Sequence, residues 1–292
     1  MAGALTVLDF DGTMTDAEAE AGPFRAGYLD DLAVITGLPR DEVEALALRF
    51  ADEVAARPAV EGWRFLGHVV APASVDPYLR MMPVARRLLD HAGALRDEAE
   101  RTRVLDGVLY KHNYVKTGTV FRPGAGALLR ALLPTAARVV TNSHTDAVVT
   151  KLERLAAAED PGLAAWTGRV HGRARKYELD PAWDGVPEAL QLPGLDRPVL
   201  LRRRAYFEVL DALRREAGCS WAEVSVMGDI FELDLALPLA LGARVLLLTN
   251  AHTPPWERAW LATQERALLV EDLAAAQAAL LPGGACEAAG AR

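Results

Sequence analysis

Asp9 and Asp11, separated by one phenylalanine in Leu8-Asp9-Phe10-Asp11-Gly12-Thr13, are the side chains best placed to do chemistry in this chain. They follow an apolar run, Leu5 to Leu8, that reads as a buried strand. Side chains two apart on a strand point to the same side. The spacing therefore predicts two carboxylates converging on one point at the strand's end. Converging carboxylates repel and call for a cation or a shared proton between them. Mg²⁺, a hard cation that prefers oxygen ligands, suits that place. Gly12 lets the backbone turn sharply and approach a bound group, which makes Gly12 and Thr13 candidate phosphate contacts. The set is that of metal-assisted phosphoryl transfer with a carboxylate nucleophile. An acidic turn after a plain strand would carry the same letters.

Three further signals fall where strands are expected to end, which is where open parallel sheets bind ligands. In Val139-Val140-Thr141-Asn142-Ser143 a strand runs into a hydroxyl and an amide just before a helix. Backbone N–H groups and the Thr141 hydroxyl could cradle phosphate oxygens there; equally, Asn142 or Ser143 could cap the helix. In Val226-Met227-Gly228-Asp229-Ile230-Phe231-Glu232-Leu233-Asp234 a strand ends in Gly-Asp, with a second acid five residues on. Asp229 would add a metal oxygen, and Asp234 would orient the site's cation or a metal-bound water. The third need is a positive charge for the phosphate. Lys176 is the first choice, and Arg203 and Arg204 of the triplet Arg202-Arg203-Arg204 are rivals. Lys151, two turns into a helix, reads as a solvated side chain. Arginine outnumbers lysine 28 to 4, so each lysine can be weighed singly.

The elements that must position these residues alternate. Ala137 to Thr141, Ala222 to Met227 and Ala243 to Thr249 read as strands, and Gly168 to Gly172 as a short one. Helices are expected from Pro123 to about Leu133, Thr145 to about Ala158, Ala205 to Ala217 and Trp256 to Arg266. This alternation predicts an α/β fold, a Rossmann-like parallel sheet with helices on both faces. Residues 14–120 read as mostly helical, with Val43, Leu46, Ala47, Phe50 and Val54 on one face of a helix and Pro83 as a boundary or kink in another. The reading is thus a core of 1–13 and 121–281, an all-α cap of 14–120 inserted in it, and a flexible tail of 282–292.

Composition narrows the class. At 292 residues and 51% hydrophobic, the chain can bury a substantial core. The formal net charge is −8 and basic residues cluster only in the arginine triplet, which disfavours a nucleic-acid partner. No apolar run is long enough to span a bilayer and no secretory leader pattern opens the chain, so no membrane partner is expected. Cys219 and Cys286 are the only cysteines. That fits a reducing, cytoplasmic setting. Oligomeric state is not legible.

Taken in order, Asp9-x-Asp11-Gly12-Thr13, the strand ending Thr141-Asn142, a downstream Lys or Arg, and Gly228-Asp229-x-x-x-x-Asp234 resemble the four motifs of the haloacid dehalogenase (HAD) superfamily, in its phosphatase branch. The resemblance covers the core, and the helical block resembles that superfamily's cap. The third motif departs from the common Lys-Pro form, so the cation stays open between Lys176 and the arginines. The resemblance implies a Mg²⁺-dependent hydrolase of a small-molecule phosphomonoester. Asp9 would be the nucleophile and Asp11 the general acid and base. Asp9, Asp229 and Asp11, the last through its backbone carbonyl, would hold the metal. Thr141, Asn142 and Lys176 would neutralise the phosphate, with Asp234 behind them. The cap would read the leaving group, with Arg64, His68, Lys111, His112 and Lys116 as candidates and Trp63 and Phe65 as cap core. A sugar-phosphate mutase of the same superfamily and a non-catalytic binding protein on the same fold are the alternatives.

Overall fold

The computed structural model describes residues 4–109 and 118–281. Lys111, His112, Lys116 and the 282–292 tail lie outside the described residues. Contacts divide the chain into two units, at Thr15/Asp16 and Val120/Phe121, with the short segment Leu195–Arg197 grouped with the second.

The first unit is built on strand β1 (Leu5–Leu8). The second unit contributes two strands, β2 (Gly62–Phe65) and β3 (His68–Pro72). The first unit resumes with β4 (Ala136–Val140), β5 (Val170–His171), β6 (Ala189–Leu190), β7 (Val199–Leu200), β8 (Val224–Gly228), β9 (Arg244–Leu248) and β10 (Ala267–Val270). Six of them form one parallel sheet in the order β10-β9-β8-β1-β4-β5. From β1 the chain steps outward through β4 to β5, then returns to the other side of β1 for β8, β9 and β10. The order reverses between β1 and β8, and a crevice opens at the strand ends on either side of such a switch point.

The sheet is buried on both faces. Leu8, Val139, Met227, Leu246 and Leu248 face a core completed by the helices Ala125–Leu132, Thr145–Ala158 and Leu273–Leu280. Val7, Val226, Val245 and Leu247 alternate to the opposite face and are equally buried. Strands covered on both sides need near-continuous apolar runs, which is what Leu-Leu-Leu in β9 and Val-Met in β8 supply. The helix Arg204–Ala217 packs on β1 and ends at Gly218, whose φ of 66° suits a left-handed cap.

The second unit is mostly helical: Ala17–Thr36, Arg40–Ala55, Pro77–Ala92 and Glu98–Thr102, followed by a π-helical turn over Arg103–Leu109. The face read as apolar in the second helix is the buried one: Val43, Leu46, Ala47, Phe50 and Val54. They pack with Phe24, Leu29, Leu32, Val84 and Leu88. Pro83 lies inside the Pro77–Ala92 helix and does not end it. The expectation of an all-α insertion is corrected by β2 and β3, which pair antiparallel. Their two-residue turn, Leu66-Gly67, has both φ values positive (49° and 81°). That is the twist a tight hairpin needs, but leucine in place of Asn or Asp hides it in the sequence. Trp63 and Phe65, read as core, lie on β2 and are half-buried.

Candidate active site

Parallel pairing puts Leu8 of β1 beside Val139 of β4 and Met227 of β8. Three strand ends are thus level. Asp9 follows the first, Thr141 the second and Asp229 the third. Asp9 N–H donates to the Met227 carbonyl at 2.8 Å, so Asp9 is still tied to the sheet while its side chain is free of it.

Asp9 and Asp229 are both buried and meet through Thr13. Its hydroxyl lies 3.1 Å from Asp9 Oδ2 and 2.9 Å from Asp229 Oδ1. One hydroxyl carries one proton, so it can satisfy only one of the two oxygens fully. Gly12 makes this approach possible. Its φ is +83°, and a Cβ added there would stand 2.3 Å from Asp229 Oδ2. The turn carbonyl of Gly12 accepts from Arg122 Nε at 2.9 Å. Gly228 plays the matching part on β8: a Cβ there would lie 2.4 Å from Asp234 Cβ.

Lys176 is the cation at the centre. Only 1% exposed, it places Nζ 2.6 Å from Asp9 Oδ1 and 2.8 Å from Asp234 Oδ1. It arrives on the loop after β5, and that loop is tied to the end of β4. Arg173 N–H donates to the Ser143 carbonyl, Ala174 N–H to the Thr141 carbonyl, and Lys176 N–H to Asn142 Oδ1 at 2.8 Å. Arg173 and Arg175 hold φ values of 53° and 51°. Non-glycine residues in that region cost energy and cluster at functional loops. Tyr206 lies beside the ammonium, ring centroid 5.5 Å away, and its hydroxyl donates to the Asp234 carbonyl at 3.0 Å. Asp234 sits in a π-helical turn, Phe231–Leu235, and its Oδ2 accepts from Ile230 N–H.

The electrostatics leave a deficit of positive charge. The carboxylates of Asp9, Asp229 and Asp234 come within 4.8 Å of one another, and the Lys176 ammonium pairs with Asp9 and Asp234. Burial pushes the Asp9 carboxyl up to about 7; Lys176 pulls it down, and Asp234 and Asp11 push it further up. Burial also raises Asp229 well above the usual carboxylate range, with Asp9 and Asp234 adding to it. Burial alone would lower the Lys176 ammonium, but the charges of Asp234 and Asp9 outweigh it and hold the group protonated. Two adjacent carboxylates whose ionisation is opposed by burial and by each other fit a hard divalent ion. Asp9 and Asp229 are the pair that would hold it: Asp234 has one oxygen on Lys176 and the other on Ile230 N–H, whereas Asp9 Oδ2 and Asp229 Oδ1 share the single Thr13 hydroxyl.

Several expected positions are corrected. Asp11 does not converge with Asp9 as strand alternation would have it, because β1 ends at Leu8 and the chain is already turning. Its carboxylate instead accepts from Ser143 Oγ at 2.6 Å and Lys151 Nζ at 2.8 Å, and the third acid of the cluster is Asp234. Thr141 Oγ1 accepts from Ser143 N–H, and Asn142 Oδ1 from Lys176 N–H. These contacts order the loops around the site through acceptor oxygens and do not use the Thr141 O–H or the Asn142 amide N–H groups as donors. Arg203 is fully buried, but its guanidinium donates to the Leu200 and Lys176 carbonyls. Arg204 pairs with Glu208 on an exposed helix face. The ammonium on Asp9 and Asp234 is that of Lys176. Tyr206 and Arg122 were given no site role on sequence; Ser143 reads there as a possible helix cap and Lys151 as the weaker, solvated lysine. The signal for Lys151 was the scarcity of lysine itself.

No protein-family model and no curated protein sequence matches the chain. Solved structures similar to it include a HAD family hydrolase from Deinococcus radiodurans with bound phosphate and sodium, 18% identical, covering 96% of this chain and 95% of that one at a TM-score of 0.49. A HAD phosphatase from Thermococcus onnurineus is 14% identical, covering 95% and 97%, at 0.45. A 2-haloacid dehalogenase from Pseudomonas syringae is 19% identical, covering 95% and 97%, at 0.44.

Proposed function

We propose that the chain is a Mg²⁺-dependent phosphomonoester hydrolase of the haloacid dehalogenase superfamily, working through an aspartyl-phosphate on Asp9. The observation that carries this reading is Asp9 itself. It is a buried carboxylate at a strand end, gripped on one oxygen by Lys176 and facing Asp229 across one hydroxyl. Such a group is oriented for attack, and its charge is incomplete without a further cation. When bound, Mg²⁺ would neutralise Asp9, Asp229 and the phosphate together.

The chain's own residues carry the rest. An Asp9 oxygen attacks phosphorus, the bond from phosphorus to the substrate oxygen breaks, and Asp11 gives the departing alkoxide its proton. A water then attacks the same phosphorus and loses its proton to Asp11, and the Asp9–phosphorus bond breaks to free inorganic phosphate. Lys176 keeps Asp9 fixed and adds positive charge beside the transferring group. Asp234 and Tyr206 hold Lys176, and Asn142 and Arg203 hold its backbone. The substrate is a small phosphorylated metabolite. The two-cysteine composition supports a reducing, cytoplasmic setting, and among the described residues no helix is long and apolar enough to cross a membrane.

A panel of phosphomonoesters assayed for free phosphate, with Mg²⁺ and with chelator, tests the reading. Turnover should require Mg²⁺, and Asp9→Asn should reduce it by about 10³-fold or more. Retained activity in Asp9→Asn would refute the assignment. Isomerised sugar phosphate in place of free phosphate would point to the mutase.

A further inference from the structure

Asp11 is held from two directions by residues that arrive on another element. Ser143, three residues past the end of β4, donates to Oδ2, and Lys151, on the second turn of the Thr145–Ala158 helix, donates to Oδ1. Both holders are themselves fixed. Ser143 N–H donates to Thr141 Oγ1 at 3.1 Å, and its carbonyl accepts from Arg173 N–H at 2.8 Å. The Lys151 ammonium lies 5.9 Å from the centroid of the Phe10 ring, the residue between the two acids. The Asp11 side chain is 34% exposed and that of Lys151 18%. An ion pair this wet adds little to stability. What it does is choose one rotamer for a carboxylate on a turning loop, and proton transfer tolerates little misplacement.

We propose that Lys151, with Ser143, is the positioning pair for Asp11, and that Lys151 does not act as a second phosphate cation. This rests on the phosphohydrolase reading. The two lysines of the described site then divide the work: Lys176 serves the nucleophile and Lys151 the proton carrier.

Lys151→Met, Lys151→Arg and Ser143→Ala should be compared with wild type by kcat/KM on an alkyl phosphate and on 4-nitrophenyl phosphate. An alkoxide needs a proton to leave, whereas nitrophenolate leaves without one. Lys151→Met should therefore lose about 10²-fold on the alkyl ester and far less on the aryl ester. Lys151→Arg should recover most of the loss. On an Asp11→Asn background, Lys151→Met should cost nothing more, because the residue it positions is gone. If Lys151→Met does not fold, Ser143→Ala reads the same hold. Equal losses on both esters would make Lys151 a phosphate cation and overturn the inference, as would an undiminished loss on the Asp11→Asn background or wild-type rates in both variants. If wild type itself releases no phosphate from either ester or from the wider panel, the phosphohydrolase reading falls and takes this one with it.

Discussion

Lys176 satisfies two acids with one ammonium, and its removal should show both debts. Without it, Asp9 and Asp234 lose the ammonium they share in a buried space. Breaking a buried ion pair by deleting one partner costs about 3–5 kcal/mol. Lys176→Met should lose about that much in urea unfolding at pH 8, and less at pH 5. Asp9, already raised to about 7, then takes a proton and sheds the charge that lacks a partner. An equal deficit at both pH values would contradict the charge argument. Pairing the change with Asp234→Asn should restore part of the loss, since it removes the other unpaired carboxylate. At this scale the sequence separated Lys176 from the arginines only by order along the chain. The structure separates them by reach: Arg203 turns to carbonyls and Arg204 to Glu208, because they begin the helix after β7 and not the loop after β5.

Elements were most legible where a periodic face and a cap coincide. The helix Pro77–Ala92 begins with Asp76, whose Oδ1 accepts from Tyr78 and Leu79 N–H at 2.8 and 2.9 Å, and has proline at its first position. Asp76→Ala should lower stability by about 1 kcal/mol, while Asp76→Asn, which keeps an accepting oxygen, should lose much less. Amide exchange at Tyr78 and Leu79 should accelerate in the alanine variant; unchanged protection there would show that the cap is not holding the first turn. Short elements were less legible. β10 is a four-residue run and the β6–β7 hairpin pairs two residues from each strand, too few to show a period. The Leu66-Gly67 turn of β2–β3 uses a leucine where the left-handed region favours Asn or Gly, so no local letter announces it.

For the whole molecule, the buried acidic cluster ties stability to pH. Asp9 binds its proton at about 7 when folded, against about 3.9 unfolded. Asp229 is raised in the same direction. Between those values the folded state holds more protons than the unfolded state. The contribution of these groups is therefore fully present below about pH 4 and is lost as pH rises toward 7. A divalent ion held by Asp9 and Asp229 would compete with those protons and offset the loss. Mg²⁺ should accordingly raise the melting temperature more at pH 8 than at pH 5, and the gain should shrink in Asp229→Asn. A larger gain at pH 5 would mean that the ion binds elsewhere.

By itself the sequence determined the parallel α/β class and, to within about two residues, the ends of β1, β4, β8 and β9 and the residues that follow them, since burial pattern, glycine turns and strand length are local properties. It also marked Asp9, Asp229, Asp234 and Lys176 as the acids and base to watch. Only the tertiary structure decided which oxygen meets which nitrogen. Asp9 and Asp229 are neighbours because β1 and β8 lie in register at the switch point, 220 residues apart along the chain. Lys151 reaches Asp11 because the helix after β4 leans over the turn after β1. Strand order and register are set by packing across the whole sheet, and no window of sequence contains them.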